Sequence, residues 1–259
     1  MAARMRVTNE HTWFAQVIWC YSKPMRKEQF GVGTFVHVVN RGAHQMPIVR
    51  DDKDRWRFLK LLRYLNDSNV PKNWEREISP DCIRNNFFRP LDWEPAEPYV
   101  ALISYCLMDN HFHLLLRELI EGGISKFMQR ISKSIASHFN AKYGVSGSLF
   151  QGPYKARVIE DDVYLQYVAT YINIKNPFER YHGGLNNAVE NFSEAYTWAT
   201  QYPFASTADF AGIRSSSLID QVLRRELFAS PEEFRASAQE LTEDRIILTD
   251  THHLLALES

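Results

Sequence analysis

The chain has 259 residues, 45% hydrophobic and 24% charged, which is enough apolar material for one globular domain with additions. The formal net charge of −1 hides an asymmetry: residues 1–181 carry 25 Lys and Arg against 19 Asp and Glu, and residues 182–259 carry 5 against 12. A basic body with an acidic tail suits a nucleic-acid-binding core. No run of about 18 apolar residues reads as a membrane span, and the three scattered cysteines, Cys20, Cys82 and Cys106, suit reduced thiols in a cytoplasmic protein rather than a disulfide framework or zinc site.

Residues 1–30 read as an N-terminal extension, with Trp13, Phe14, Val17, Ile18 and Trp19 as a short helix or strand and a basic cluster from Lys23 to Lys27 around Pro24. Val32 to Arg41 is β-branched and aromatic and predicts a strand. His37 within it reads most simply as a half-buried, satisfied histidine. Asp51 or Asp52 caps a following helix, marked by Trp56, Leu59, Leu62 and Leu65. Residues 67–98 break the pattern with Pro71, Pro80, Pro90, Pro95 and Pro98, and read as an insertion. Its Trp74, Trp93, Phe87 and Phe88 predict a small satellite core under a loop. Mixed as they are with Lys72, Arg76, Arg84 and Arg89, they also suit stacking on single-stranded bases.

Two apolar runs follow, Tyr99–Leu107 and His111–Leu116, joined by Met108-Asp109-Asn110. They predict two strands and a tight turn. Alternation puts His111 and His113 on one face and Phe112 on the other. By itself that spacing is more often ordinary packing than ligation, yet two imidazoles held side by side make half a site for a divalent metal. A helix is predicted over 124–143, buried through Ile124, Phe127, Met128, Ile131, Ile135 and Phe139. Its Lys126, Arg130, Lys133 and Lys142 either hold phosphates or form a solvated face. Tyr154 to Ile159 predicts a strand whose Lys155 and Arg157 share a face and suit a phosphate backbone. The next helix opens on Glu160-Asp161-Asp162 and carries Tyr164, Tyr167 and Tyr171 along one stripe. Residues 182–259 read as an acidic extension with a capped helix at Ser230-Pro231 and no catalytic motif. The His252-His253 pair there reads as solvated.

Met108-Asp109-Asn110-His111-Phe112-His113 resembles the His-hydrophobic-His signature of the HUH endonucleases, specifically the single-tyrosine transposases and their REP-associated relatives. The first strand ends in Asn40-Arg41-Gly42, as theirs does. Leu149-Phe150-Gln151 followed by Tyr154-Lys155 is similar to their Leu-aromatic-Gln and aromatic-Lys segments. Tyr171-Ile172-Asn173-Ile174-Lys175-Asn176-Pro177 resembles their Tyr-Ile-x-x-Asn-Pro, with one extra residue before Asn-Pro. The resemblance spans about residues 32–205, with 67–98 as an insertion.

The element order and the resemblance together imply an α+β fold: a ferredoxin-like split β-α-β antiparallel sheet with helices on one face, plus the insertion and a C-terminal helical extension. The resemblance assigns residues 31–181 to the catalytic domain. It implies a metal-dependent single-stranded DNA endonuclease and strand transferase acting at hairpins or repeats through a 5′-phosphotyrosine. Tyr171 is then the nucleophile, with Tyr164 and Tyr167 as competitors, because sequence does not fix helix register. His111 and His113 are the metal ligands, for Mg²⁺ or Mn²⁺. The third ligand falls one turn after the nucleophile, where Lys175 stands; Asn176 serves there if the helix end is distorted. Arg41, Arg130, Lys133, Lys155 and Arg157 are the implied DNA contacts, and His37 faces the active-site side of the sheet. The partner is single-stranded or hairpin DNA, and the protein a monomer or homodimer. Two alternatives stand beside this: a hairpin-binding protein that has lost cleavage, and a metalloenzyme using the His pair on another substrate.

Overall fold

The computed structural model describes residues 30–78 and 87–243. The predicted N-terminal extension, Cys20, Cys82, Arg84 and the His252-His253 pair lie outside the described residues. In chain order the elements are β1 (Phe35–Arg41), α1 (Asp52–Tyr64), α2 (Trp74–Glu77), β2 (Val100–Leu107), β3 (His111–Glu118), α3 (Gly123–Tyr143), β4 (Lys155–Ile159), α4 (Asp162–Arg180), α5 (Gly184–Glu190), α6 (Phe192–Gln201), α7 (Thr207–Phe210), α8 (Gln221–Leu227) and α9 (Pro231–Glu243).

The four strands form one antiparallel sheet in the order β2-β3-β1-β4. The expected α+β class and split β-α-β order are those observed. β1 and β3 are the two inner strands, and β1 has Val39 opposite His113 on one side and Lys155 on the other. It ends at Gly42, where a Cβ would fall 2.1 Å from the carbonyl oxygen of Met46, so only glycine lets the chain fold back there. The Gly42 N–H is then free to donate to the Asn110 carbonyl at the β2–β3 turn, 2.8 Å away.

The helices cover both faces, which corrects the one-faced arrangement. α1 and α3 pack on the face of Phe112, where Phe58 meets Phe112 at 5.1 Å between ring centroids and Asn40 reaches Ser132 of α3. α4 packs on the opposite face, where Tyr171 meets His113. The reason is in β2 and β3, which are buried almost throughout, so neither face is left for water. α1 starts as expected, with the Asp51 carboxylate accepting from the Asp54 N–H.

The described part of the insertion is a satellite core. Tyr64 of α1 stacks on Trp74 at 5.2 Å and meets Trp93 edge-on at 6.0 Å, the Trp93 indole N–H donates to Glu77, and Arg89 pairs with the buried Asp67. Trp74, Trp93 and Phe87 are buried in this cluster and offer no stacking surface.

The C-terminal region is part of the same body. β2 is an edge strand, and residues 204–206 cover its free edge: Leu107 N–H donates to the Phe204 carbonyl and Ser206 N–H to the Tyr105 carbonyl, with Asp220 N–H bonded to Leu102. Phe210, Phe228 and Phe234 cluster at 5.1–5.9 Å between centroids, and α9 packs on α4. α4 is therefore enclosed by the sheet on one side and the extension on the other.

Candidate active site

β3 holds the two histidines on the face that α4 covers. Their rings lie 5.0 Å apart at 74°. On the same face β1 contributes His37, Val39 and Arg41, and β4 contributes Lys155 and Arg157, because antiparallel partners share a side. Arg41 sits directly across from His111, and Arg157 across from His37. Of the five cations read as DNA contacts, Arg41, Lys155 and Arg157 come together around the histidines. Arg130 and Lys133 do not: both are on α3, which packs against the other face. Arg130 is occupied there by the Asp67 carbonyl and the Tyr99 hydroxyl, and Lys133 is exposed.

The turn before β3 is pinned from three directions. Asp109 accepts from Arg55 at 2.7 Å and from Arg180 at 2.8 Å, and its carboxyl is held below the usual range by these guanidinium bonds acting against burial. Its carbonyl accepts from the Ile48 N–H. Asn110 then sets His111. The amide oxygen of Asn110 lies 2.7 Å from His111 Nδ1 and can only accept, so Nδ1 carries the proton and Nε2 keeps its lone pair. That Nε2 is buried and has no hydrogen-bond partner among the described residues.

His113 is fully buried, and its Nδ1 lies 3.0 Å from Nε2 of His37. The two rings stack at 5.2 Å and 21°. His37 was expected to be half-buried, and it is fully buried instead. The parity of β1 could place it on this face from sequence, but its meeting with His113 depends on the register of β1 against β3. Burial disfavours the charged form of all three imidazoles. Burial, with Arg157 adding to it, pushes His37 down to about 3. Burial, then Arg41 and Lys175, pushes His111 down to about 3. His113 is lowered well below its ordinary value by burial, then by its two histidine neighbours. Neutral imidazole is the form that ligates a metal.

α4 brings the tyrosines. Tyr171 is the one whose ring faces His113, at 6.4 Å and 61°. Tyr167 stands next along the stripe, 6.2 Å from Tyr171, and Tyr164 stacks on Tyr167 beneath the Arg157 guanidinium. Lys175, one turn on, lays its ammonium 5.3 Å from the Tyr171 ring centroid and pairs with Glu179 at 2.7 Å.

The helix end at Asn176 lacks the distortion on which its expected ligand role depends. α4 runs unbroken through Pro177 to Arg180. Helical spacing places Asn176 on the stripe of Val168 and Ile172, all three 0% exposed. Neither amide atom of Asn176 has a hydrogen-bond partner among the described residues. Pro177 supplies no N–H to the Asn173 carbonyl, and Thr207 Oγ1 donates to it instead at 2.7 Å. Asn173, three residues before Asn176, is by contrast fully bonded: it donates to Ser104 Oγ and the Ala169 carbonyl and accepts from Ser206 Oγ.

These side chains fit a divalent ion. Among the described residues, no cluster of three His, Cys, Asp or Glu forms a complete ligand set. The buried His111 Nε2, with no hydrogen-bond partner among the described residues, is a donor atom of the kind such an ion takes.

Residues 96–175 match the family model described as IS200-like transposase. The matched stretch includes His111, His113 and Tyr171 and stops one residue short of Asn176. No curated protein sequence matches the chain. A solved REP-associated tyrosine transposase bound to a REP hairpin is similar over 76% of this chain and 97% of that one, at 14% identity and a TM-score of 0.40. Residues 96–175 of the chain are thus similar to the IS200-like transposases.

Proposed function

We propose that the protein is a divalent-metal-dependent, single-stranded DNA endonuclease and strand transferase that acts in the cytoplasm on hairpins or repeats through a 5′-phosphotyrosine. The observation that carries this reading is the contact between the His111–His113 pair and Tyr171 on a sheet face that also bears Lys155 and Arg157.

His111 and His113 through Nε2, with Asn176 through its amide oxygen, are the residues that would hold Mg²⁺ or Mn²⁺. When bound, such an ion neutralises a phosphodiester and polarises a non-bridging oxygen. The chain's own residues do the rest. Lys155, Arg157 and Arg41 hold phosphates against the face. Tyr171 Oη attacks phosphorus, the P–O3′ bond breaks, the phenolic proton leaves, and the departing 3′ oxygen takes a proton. The products are a 5′-phosphotyrosine and a free 3′-OH. The ester conserves the bond, so another 3′-OH can attack it and rejoin strands. Tyr171 is 1% exposed in this conformation, so DNA reaches it only when the face opens.

The test is incubation with labelled single-stranded hairpin DNA from the flanks of the protein's own gene, with Mn²⁺ or Mg²⁺, followed by a denaturing gel. A covalent adduct is expected, lost in Tyr171→Phe, in His111→Ala and with chelator. An adduct that survives Tyr171→Phe moves the nucleophile to Tyr167 or Tyr164. Lys175, ion-paired to Glu179 at the position one turn after Tyr171, favours a second reading, a hairpin-binding protein without cleavage. Tight hairpin binding with no adduct would establish it.

A further inference from the structure

We infer that His37 is a positioning residue for the metal site: it accepts a hydrogen bond from His113 Nδ1–H and so holds His113 in the tautomer that turns the Nε2 lone pair toward the ion. This rests on the metal reading above.

The argument starts from the proton count between the two rings. His37 Nε2 and His113 Nδ1 are 3.0 Å apart and share one proton. If His37 donates it, the proton of neutral His113 sits on Nε2, and the ring cannot ligate through that atom. If His113 donates it, the His113 Nε2 carries no proton, and the remaining proton of His37 sits on its own Nδ1. His37 Nδ1 is buried without a hydrogen-bond partner among the described residues, so none of them on the far side of His37 dictates which nitrogen keeps the proton. His37 Nε2 can therefore act as the acceptor for His113 Nδ1–H, which is the arrangement ligation through His113 Nε2 requires. Stacking at 5.2 Å and 21° and complete burial hold the His37 ring in place for that role.

The neighbouring ligand obeys the same logic with a different partner. His111 Nδ1–H donates to Asn110, which leaves its Nε2 without a partner among the described residues. Each ligand histidine thus has Nδ1 bonded to a second side chain, as metal-bound histidines generally do. Asn110 is next in sequence to its client. His37 reaches its own client across the β1–β3 pairing, two residue pairs removed from the Val39–His113 partnership and on the same face.

The experiment titrates Mn²⁺ into the metal-free full-length protein, following free Mn²⁺ by electron paramagnetic resonance, with no DNA present. His37→Phe keeps the ring and the stacking and removes the acceptor; His37→Gln restores an acceptor. The expected result is Mn²⁺ affinity weakened about 10–100-fold in His37→Phe, with substantial recovery in His37→Gln. Wild-type affinity in a folded His37→Phe overturns the inference and leaves the metal site standing. No Mn²⁺ binding by the wild-type protein overturns the metal reading and the inference with it. A second measurement needs no variant: in Mg²⁺-loaded, ¹⁵N-histidine-labelled protein, the shared proton is expected on His113 Nδ1, with scalar coupling across to His37 Nε2. A proton resident on His37 Nε2 overturns the inference.

Discussion

Asn173 and Asn176 lie one turn apart on α4, both 0% exposed, and the same substitution in each is expected to act in opposite directions. In Asn173→Leu, three hydrogen bonds are lost, to Ser104, Ala169 and Ser206. At about 1 kcal/mol net each, the cost is about 3 kcal/mol. In Asn176→Leu no bond to a described residue is lost, because neither amide atom has one. Removing an unsatisfied buried amide returns about 1–3 kcal/mol. Leucine branches at the same carbon in both cases, so the cost of its extra bulk is roughly common to the two and cancels in the difference. The gap is then about 4 kcal/mol or more. For a domain of this size that corresponds to thermal midpoints separated by about 8–16 °C. Both variants are to be melted in EDTA. Asn176→Leu is then titrated with Mn²⁺, where weakened binding is expected. Midpoints that fall together would refute the reasoning, because they would mean the Asn176 amide is as well bonded as that of Asn173. A stability gain coupled to lost ion binding is the mark of a residue kept for function.

Lys155→Ala with Arg157→Ala is expected to weaken hairpin binding and to reduce the slope of log affinity against log salt by roughly 2, whereas Arg130→Ala and Lys133→Ala leave the slope unchanged; a filter-binding series from 50 to 200 mM salt reads both. The Asp54 carboxylate accepts from Lys142, from the Tyr143 hydroxyl at 2.5 Å, from His138 and from the Arg50 N–H, and these bonds hold its pKa below the ordinary value against the opposing effect of burial. A depressed carboxyl stabilises the fold above its unfolded pKa near 4 and loses that contribution as pH falls below it. Asp54→Asn should therefore cost about 3 kcal/mol at pH 7 and flatten the acid limb of the stability curve, as followed by urea melts. A steep acid limb retained in Asp54→Asn would show that other carboxylates set it.

Short-range pattern was enough for much of this molecule. Alternation along His111-Phe112-His113 told which side chains share a face, because a strand has a period of two whatever it pairs with. The tyrosine stripe and the capped start of α1 at Asp51 followed from helical spacing and local hydrogen bonding. Tertiary structure decided everything that depends on register and layering. The one-faced sheet was a natural expectation from a split β-α-β order. The two-sided burial of β2 and β3 brought α4 onto the second face and separated Arg130 and Lys133 from the histidines. Asn176 looked out of place by one residue in a linear count of turns. In the fold, the sheet-facing stripe of α4 runs through Val168, Ile172 and Asn176, so the amide is buried on that side while Lys175 turns to Tyr171 and Glu179. His37 read as a satisfied histidine, and nothing local could name its partner. That contact exists because β1 pairs with β3 in one register out of several, and a slip of one residue would turn His37 to the face of Phe112. Sequence determined the chemistry available to each element, because side-chain period is local. Only the packed sheet decided which of those groups meet, because pairing partners lie scores of residues apart and are chosen by the whole core.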